Sequence, residues 1–162
     1  MSQTDKLLAI LLPLLFKYNA WLPMKATPST EDLEFRVAFE NGDIPAAEFH
    51  HRDHLRLAYV YLCQHETKPA FELFRHQVKK FLSENGVPDD KYHETVTASW
   101  VQAVRHFMEM RGTASSFEEL INKDDRLLDM DIMLTHYRKE TLFSDSARRE
   151  FVQPDLEPIP QY

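Results

Sequence analysis

The chain has one cysteine and three glycines in 162 residues. A single cysteine, Cys63, excludes an intrachain disulfide and suits a reducing compartment, so a cytoplasmic location is expected. It lies in "YVYLCQ", where an inert, packed thiol is the natural reading. No phosphate-binding glycine loop, no G-x-S-x-G elbow and no HExxH pair occurs. Basic residues are outnumbered, 19 Lys and Arg against 26 Asp and Glu, for a net charge of −7. An acidic chain without a basic stripe argues against nucleic acid or an anionic membrane surface as the main partner. Alternating strand patterns, internal repeats and low-complexity tracts are also missing.

The apolar run "LLAILLPLLF" (Leu7 to Phe16) is broken by Pro13 and is shorter than the about 20 residues a membrane span needs. It makes a poor signal peptide, because Asp5 offsets Lys6 and no clear small-x-small cleavage site follows. Residues 1–23 therefore read as a hydrophobic extension, packed on the domain or on a partner, or else lying upstream of a native start at Met24. Residues 24–162 read as one domain. With 43% apolar and 28% charged residues, that length can bury a real core.

The glycines punctuate the chain. Gly42, Gly86 and Gly112 each close a helix-like run, where a left-handed cap is expected. Prolines 45, 69 and 88 fall between runs. The marks predict helices over about Thr30–Glu40, Phe49–Gln64, Pro69–Ser83, Lys91–Arg111, Ser116–Asn122 and Asp125–Tyr137, with a short one after Ser144. The last residues, "VQPDLEPIPQY", read as an extended tail. The expectation is an all-α, single-domain bundle of five to seven helices.

Histidine placement carries what chemistry there is. In "EFHHRDHLRLAYVYL", His51 and His54 stand three residues apart at the start of an apolar stripe that continues through Leu55, Ala58 and Leu62. His50 falls at the stripe's edge, and Arg52 and Asp53 point away from it. Buried imidazoles need a hydrogen-bond partner or a metal. In "KYHETVTASWVQAVRHF", His93 heads a face that continues through Val96/Thr97, Trp100, Val104 and Phe107. Glu94 beside it is the first choice for moving protons, or simply favours the helix N-terminus. Thr97 could support His93, and Thr95 and Thr97 could equally bond backbone carbonyls. In "DRLLDMDIMLTHYRKE", His136 ends a helical run with Asp129 two turns before it; there the helix dipole alone could explain a histidine. His65, His76 and His106 read as surface or boundary residues.

Side chains from facing helices that meet inside a bundle make a metal site. His51, His54 and His93, with His136 or an acid, would suit Zn²⁺ or a divalent iron, nickel or manganese ion with one open position. A water bound there would be acidified and could attack a substrate.

Three blocks, "FHHRDHLRLAYVYL", "YHETVTASWV" and "LTHY" followed by "LFSDSARREFVQPDLEPIP", together resemble a family of small bacterial helical proteins that are uncharacterised. The resemblance spans about Phe35 to Pro160 and implies His51, His54, His93 and His136 as the family's histidines. It also favours a start near Met24, and supplies no reaction.

The leading functional expectation is a metal-dependent enzyme acting on a small molecule, with Tyr92, Trp100 and Tyr137 lining a pocket. The alternative is a non-catalytic metal- or ligand-binding helical module. A third reading makes the histidines members of a buried polar network, which is costly unless fully satisfied. An oligomer is left open.

Overall fold

The computed structural model describes residues 26–162, so the expectations for residues 1–23 and Met24 fall outside it. Seven α-helices are present among the described residues: α1 (Thr30–Asn41), α2 (His51–Gln64), α3 (Thr67–Glu84), α4 (Glu94–Arg111), α5 (Phe117–Lys123), α6 (Lys139–Leu142) and α7 (Asp145–Arg149). No strand occurs among these residues. The fold is all-α, as the pattern of apolar runs predicts. No helix among the described residues is long and apolar enough to cross a membrane.

Local chemistry sets the helix ends. Ser29 caps α1: its hydroxyl accepts the Asp32 N–H (3.1 Å) while the Asp32 carboxylate accepts the Ser29 N–H (3.1 Å). Gly42 ends the helix at φ 80° and ψ 17°, a left-handed conformation that costs glycine nothing. Gly112 follows α4 at φ 68° and ψ −157°, a region essentially closed to residues with a Cβ.

One expected helix does not form. The segment predicted from Asp125 to Tyr137 folds instead as two short 3₁₀ pieces, Asp125–Leu128 and Met130–Thr135. The aspartates explain the break. Asp124 accepts the N–H of Arg126 (3.3 Å), and Asp129 accepts the N–H of Asp131 (3.0 Å). Each carboxylate restarts the chain as a cap, which competes with a continuous α-helix. His136 therefore follows a 3₁₀ turn rather than ending a long α-helix, and the dipole argument for it lapses.

Helix α2 is the centre of the domain. Leu55, Leu57, Ala58, Tyr59, Val60, Tyr61 and Leu62 are all buried, so most of the helix is enclosed on every side rather than along one stripe. Its neighbours are α1, α3, α4 and α5. Fully burying a side chain of this size contributes about 1.5–3 kcal/mol. A second, smaller core joins Ala103 of α4 to Met133, Tyr137, Leu142 and Ile159. Trp100 packs against both cores and so lies on the seam between them.

Residues 150–162 form no helix and are fastened to α4 and its surroundings. The Thr95 hydroxyl donates to the Glu150 carbonyl (2.9 Å) and accepts the Val152 N–H (3.0 Å). The Tyr137 hydroxyl donates to the Val152 carbonyl (2.9 Å), so Ser99 must be the donor in its 3.0 Å contact with that hydroxyl.

Candidate functional site

The first turn of α2 begins after His50, whose N–H is accepted by the Asp53 carboxylate (2.9 Å). That bond fixes the helix start and turns His51 and His54 inward together. His51 meets the Trp100 indole edge-on, with ring centroids 4.5 Å apart. Its Nε2 is buried and has no hydrogen-bond partner. His54 is wedged between Phe49 (centroids 4.3 Å apart) and Phe74 (6.3 Å). Burial, with a smaller contribution from neighbouring His51, pushes the His54 pKa down to about 4 despite the opposing charge of Asp53. Burial also holds His51 below the usual histidine range. Both rings are therefore predominantly neutral at pH 7. Arg52 points outward, where it pairs with Glu118 and lies over the Phe117 ring (5.4 Å).

His93 is the N-cap of α4. Its Nδ1 accepts the Val96 N–H (3.3 Å). A neutral imidazole has one donor and one acceptor nitrogen, so Nε2 carries the proton. That Nε2 is buried and makes no hydrogen bond. Burial and the Arg148 charge hold the His93 pKa down. The Leu142 carbonyl opposes this in part, without the geometry of a bond to Nε2. The ring faces Phe143 edge-to-face at 6.5 Å.

His93 and Trp100 are seven residues apart, two turns, and share one side of α4 at a separation of about 10 Å along the axis. Trp100 leans back toward the helix N-terminus, as helical side chains do. His51 rests on Trp100 from across the core. The structure thus leaves two buried Nε2 atoms without a hydrogen bond, one on His51, packed on Trp100, and one on His93, at the head of α4.

The four-histidine picture fares less well. Among the described residues no group of three or more His, Cys, Asp or Glu is arranged to hold a metal ion. Only His51 and His54 are brought side by side. His93 Nε2 could ligate a metal only if the ring changed tautomer and gave up the Val96 N–H. His136 is half-buried, and its Nδ1 donates to the Glu157 carbonyl (2.8 Å), anchoring the C-terminal segment. Asp129 is occupied as a cap. Glu94 faces α3, where its carboxylate accepts from Arg75 (3.0 Å). Arg75 also binds Glu72 and covers the Phe71 ring (5.3 Å). Glu94 is thus placed as an ion-pair partner.

The three aromatic residues expected to share a pocket have separate fates. Tyr137 is fully buried in the second core. Trp100 is half-buried on the seam. Tyr92 stands under the ammonium of Lys79 (4.5 Å) and walls a charged cleft of about 770 Å³ with Asp90 and Arg148. A second cleft, of about 490 Å³, opens between α3 and α4. Neither is lined by a histidine. Cys63 is as inert as its setting suggests, since burial pushes its thiol up to about 12.

Sequence reasoning missed two features. Arg105, on the α4 helix, is buried, and a lone arginine within a helical pattern gives no sign of that. His106 meets Tyr162, with its Nδ1 2.9 Å from the phenol oxygen. A contact spanning 56 residues leaves no local trace.

No family model, curated protein or solved structure matches the chain.

Proposed function

We propose that the chain is a cytoplasmic helical module that binds a small molecule on the Trp100 seam, the alternative of the two leading readings of the sequence. The observation that carries this is the pair of buried, unpartnered Nε2 atoms, on His51 beside Trp100 and on His93 at the N-terminus of α4. Unsatisfied buried polar atoms are costly, about 1–3 kcal/mol each, and a ligand that supplies their partners recovers that cost. His93 offers an N–H, so the ligand presents an acceptor oxygen there. The indole supplies an apolar surface beside His51.

A metal-dependent enzyme is the second reading. It is favoured by the adjacency of two neutral imidazoles, His51 and His54, on successive turns of α2. Two imidazoles would hold a Zn²⁺, Fe²⁺, Ni²⁺ or Mn²⁺ ion with the remaining positions filled by water or substrate. Glu94, tied to Arg75, supports neither reading directly.

The test is a two-dimensional NMR screen of untagged protein with small polar ligands, and separately with each metal ion. The expected result is perturbation of the Trp100 indole N–H, abolished in His51→Phe and His93→Phe variants that still fold. An indole signal unmoved by every ligand and ion, with both variants more stable than the parent, overturns both readings and leaves a purely structural role. Metal-dependent shifts confined to His51 and His54 select the second.

A further inference from the structure

The cleft of about 490 Å³ between α3 and α4 is built on a different face of α4 from the histidine seam. Ala98, Val101, Gln102 and Arg105 follow the i, i+3, i+4, i+7 spacing of one helix side, and Trp100 stands about 160° round from Ala98. Phe71 from α3 and Phe151 from the C-terminal segment complete its apolar walls. Such a volume is in the range that holds a small molecule.

The charges around the cleft are already matched. Arg105, its side chain only 8% exposed, donates to the Thr67 hydroxyl (3.2 Å), the His65 carbonyl (3.1 Å) and the Glu109 carboxylate (3.4 Å), with the Glu66 carboxylate 4.0 Å away. Glu72 is held by Arg75, and Lys68 stands exposed to water on the rim. A charged ligand would therefore lose its hydration there without gaining a buried counterion. The Gln102 amide differs. It is half-buried, lines the cleft and makes no hydrogen bond within the described residues. An uncharged amide presents one acceptor oxygen and two N–H donors.

Pro160, Gln161 and Tyr162 close one side of the cleft. They follow Ile159, which is 4% exposed and anchored in the second core. Beyond that anchor the contacts are exposed ones. The Tyr162 carbonyl accepts from the Thr67 hydroxyl (3.2 Å), and its phenol oxygen meets His106 Nδ1 (2.9 Å). The segment is thus a short strap with one fixed end, laid beside an apolar cleft.

We propose that this cleft binds an uncharged apolar molecule carrying one hydroxyl or amide group. Its body lies against Phe71, Ala98, Val101 and Phe151, its polar group meets the Gln102 amide, and the Tyr162 strap holds it in. The matched charges of Arg105, Glu66, Glu109 and Glu72 select against acids and amines of the same shape. The site works independently of the Trp100 seam.

Titration calorimetry and NMR of the full chain with 3-phenylpropanol, its hydrocarbon analogue propylbenzene, 3-phenylpropionate and 3-phenylpropylamine provide the test. The alcohol binds several-fold more tightly than the hydrocarbon and at least tenfold more tightly than the acid or the amine, and the shifts centre on Ala98, Val101 and Gln102. Gln102→Leu removes the advantage of the alcohol over the hydrocarbon and leaves hydrocarbon binding in place. Ala98→Leu fills the cleft and abolishes binding of both. Because Ala98 is buried and that variant is at risk of misfolding, the half-buried Gln102 supplies the decisive comparison. Tyr162→Ala weakens binding several-fold through faster release. His51→Phe leaves all of this unchanged, so failure here and failure of the seam reading are separable. Equal or tighter binding of the acid or amine, an alcohol preference that survives Gln102→Leu, absence of binding, shifts centred on Trp100, or cleft signals that respond to protein concentration alone would each overturn the proposal; the last would make the occupant a second copy of the chain.

Discussion

His93 accepts the Val96 N–H through Nδ1 (3.3 Å), and that one bond decides what the other face of the ring can do. It makes His93 a helix cap with a protonated Nε2. The same residue read from sequence is a metal ligand at the head of an apolar face. Both readings follow from a histidine at the first turn of a helix, and only the direction of the ring separates them.

Stability should fall on mild acidification, and His54 should account for a large part. Its folded pKa of about 4 lies below the usual 6.5. The unfolded chain therefore binds the extra proton first. Stability from this group is complete above pH 6.5 and is lost as pH falls toward 4, by up to about 3 kcal/mol. The groups facing it are His51, which disfavours the charged ring, and Asp53, which favours it. Urea unfolding of the parent and of His54→Leu between pH 7.5 and 4 checks this. The parent's decline should be markedly steeper; parallel curves would remove His54 as the cause.

Helix positions were legible wherever a cap and an apolar period agreed. Gly42 and Gly112 marked true ends. The pattern failed at Asp125–Tyr137, where the apolar period persists but Asp124 and Asp129 capture backbone N–H groups and divide the segment. The inward direction of His51 and His54 was legible, because a helical period fixes which side a residue takes. Their separation from His93 and His136 was not. That depends on ring rotation about a cap and on how far along α4 the partner lies, and neither leaves a period in the sequence. Arg105 and Tyr162 were hidden for the same reason: their partners are distant in the chain.

Glu94 should behave as a structural residue. It is 7% exposed and bonded to Arg75, whose side chain is 35% exposed. Glu94→Gln should cost about 1–2 kcal/mol, less than a fully buried pair because water already reaches Arg75. Combining it with Arg75→Met should recover part of that loss. A double-mutant cycle by chemical denaturation measures the coupling. A Glu94→Gln protein of unchanged stability that has lost ligand-dependent chemistry would return Glu94 to a proton-carrying role.

Asp32 should be among the least replaceable polar residues. It is 2% exposed and binds three partners in three different segments: Ser29 N–H (3.1 Å), Phe117 N–H (2.9 Å) and the Arg56 guanidinium (2.7 Å). Burial alone would raise its pKa, but the Phe117 bond, Arg56 and the Ser29 bond together hold it below the usual aspartate range. Its contribution is therefore present above about pH 4 and lost below it. Asp32→Ala should cost about 3 kcal/mol or more, since it strands a buried N–H and the Arg56 charge and removes a cap. A loss under about 1 kcal/mol in urea would show that the three bonds are dispensable.

The tautomer of His93 gives a direct measure of the seam. Nitrogen chemical shifts of the neutral rings should show His93 protonated at Nε2. Replacing it with Ala should cost about 1 kcal/mol through the lost cap, whereas Asn or Ser should restore most of that. If Zn²⁺ or Ni²⁺ moves the nitrogens of His51 and His54 while His93 keeps its pattern and the Val96 amide its position, the metal-dependent reading is selected over the ligand-binding one. If His93 switches tautomer as the metal binds, and the Val96 amide shifts with it, the ion has broken the cap and recruited a third imidazole. A metal-bound state distinct from the one described here would then exist, with His51, His54 and His93 as its ligands.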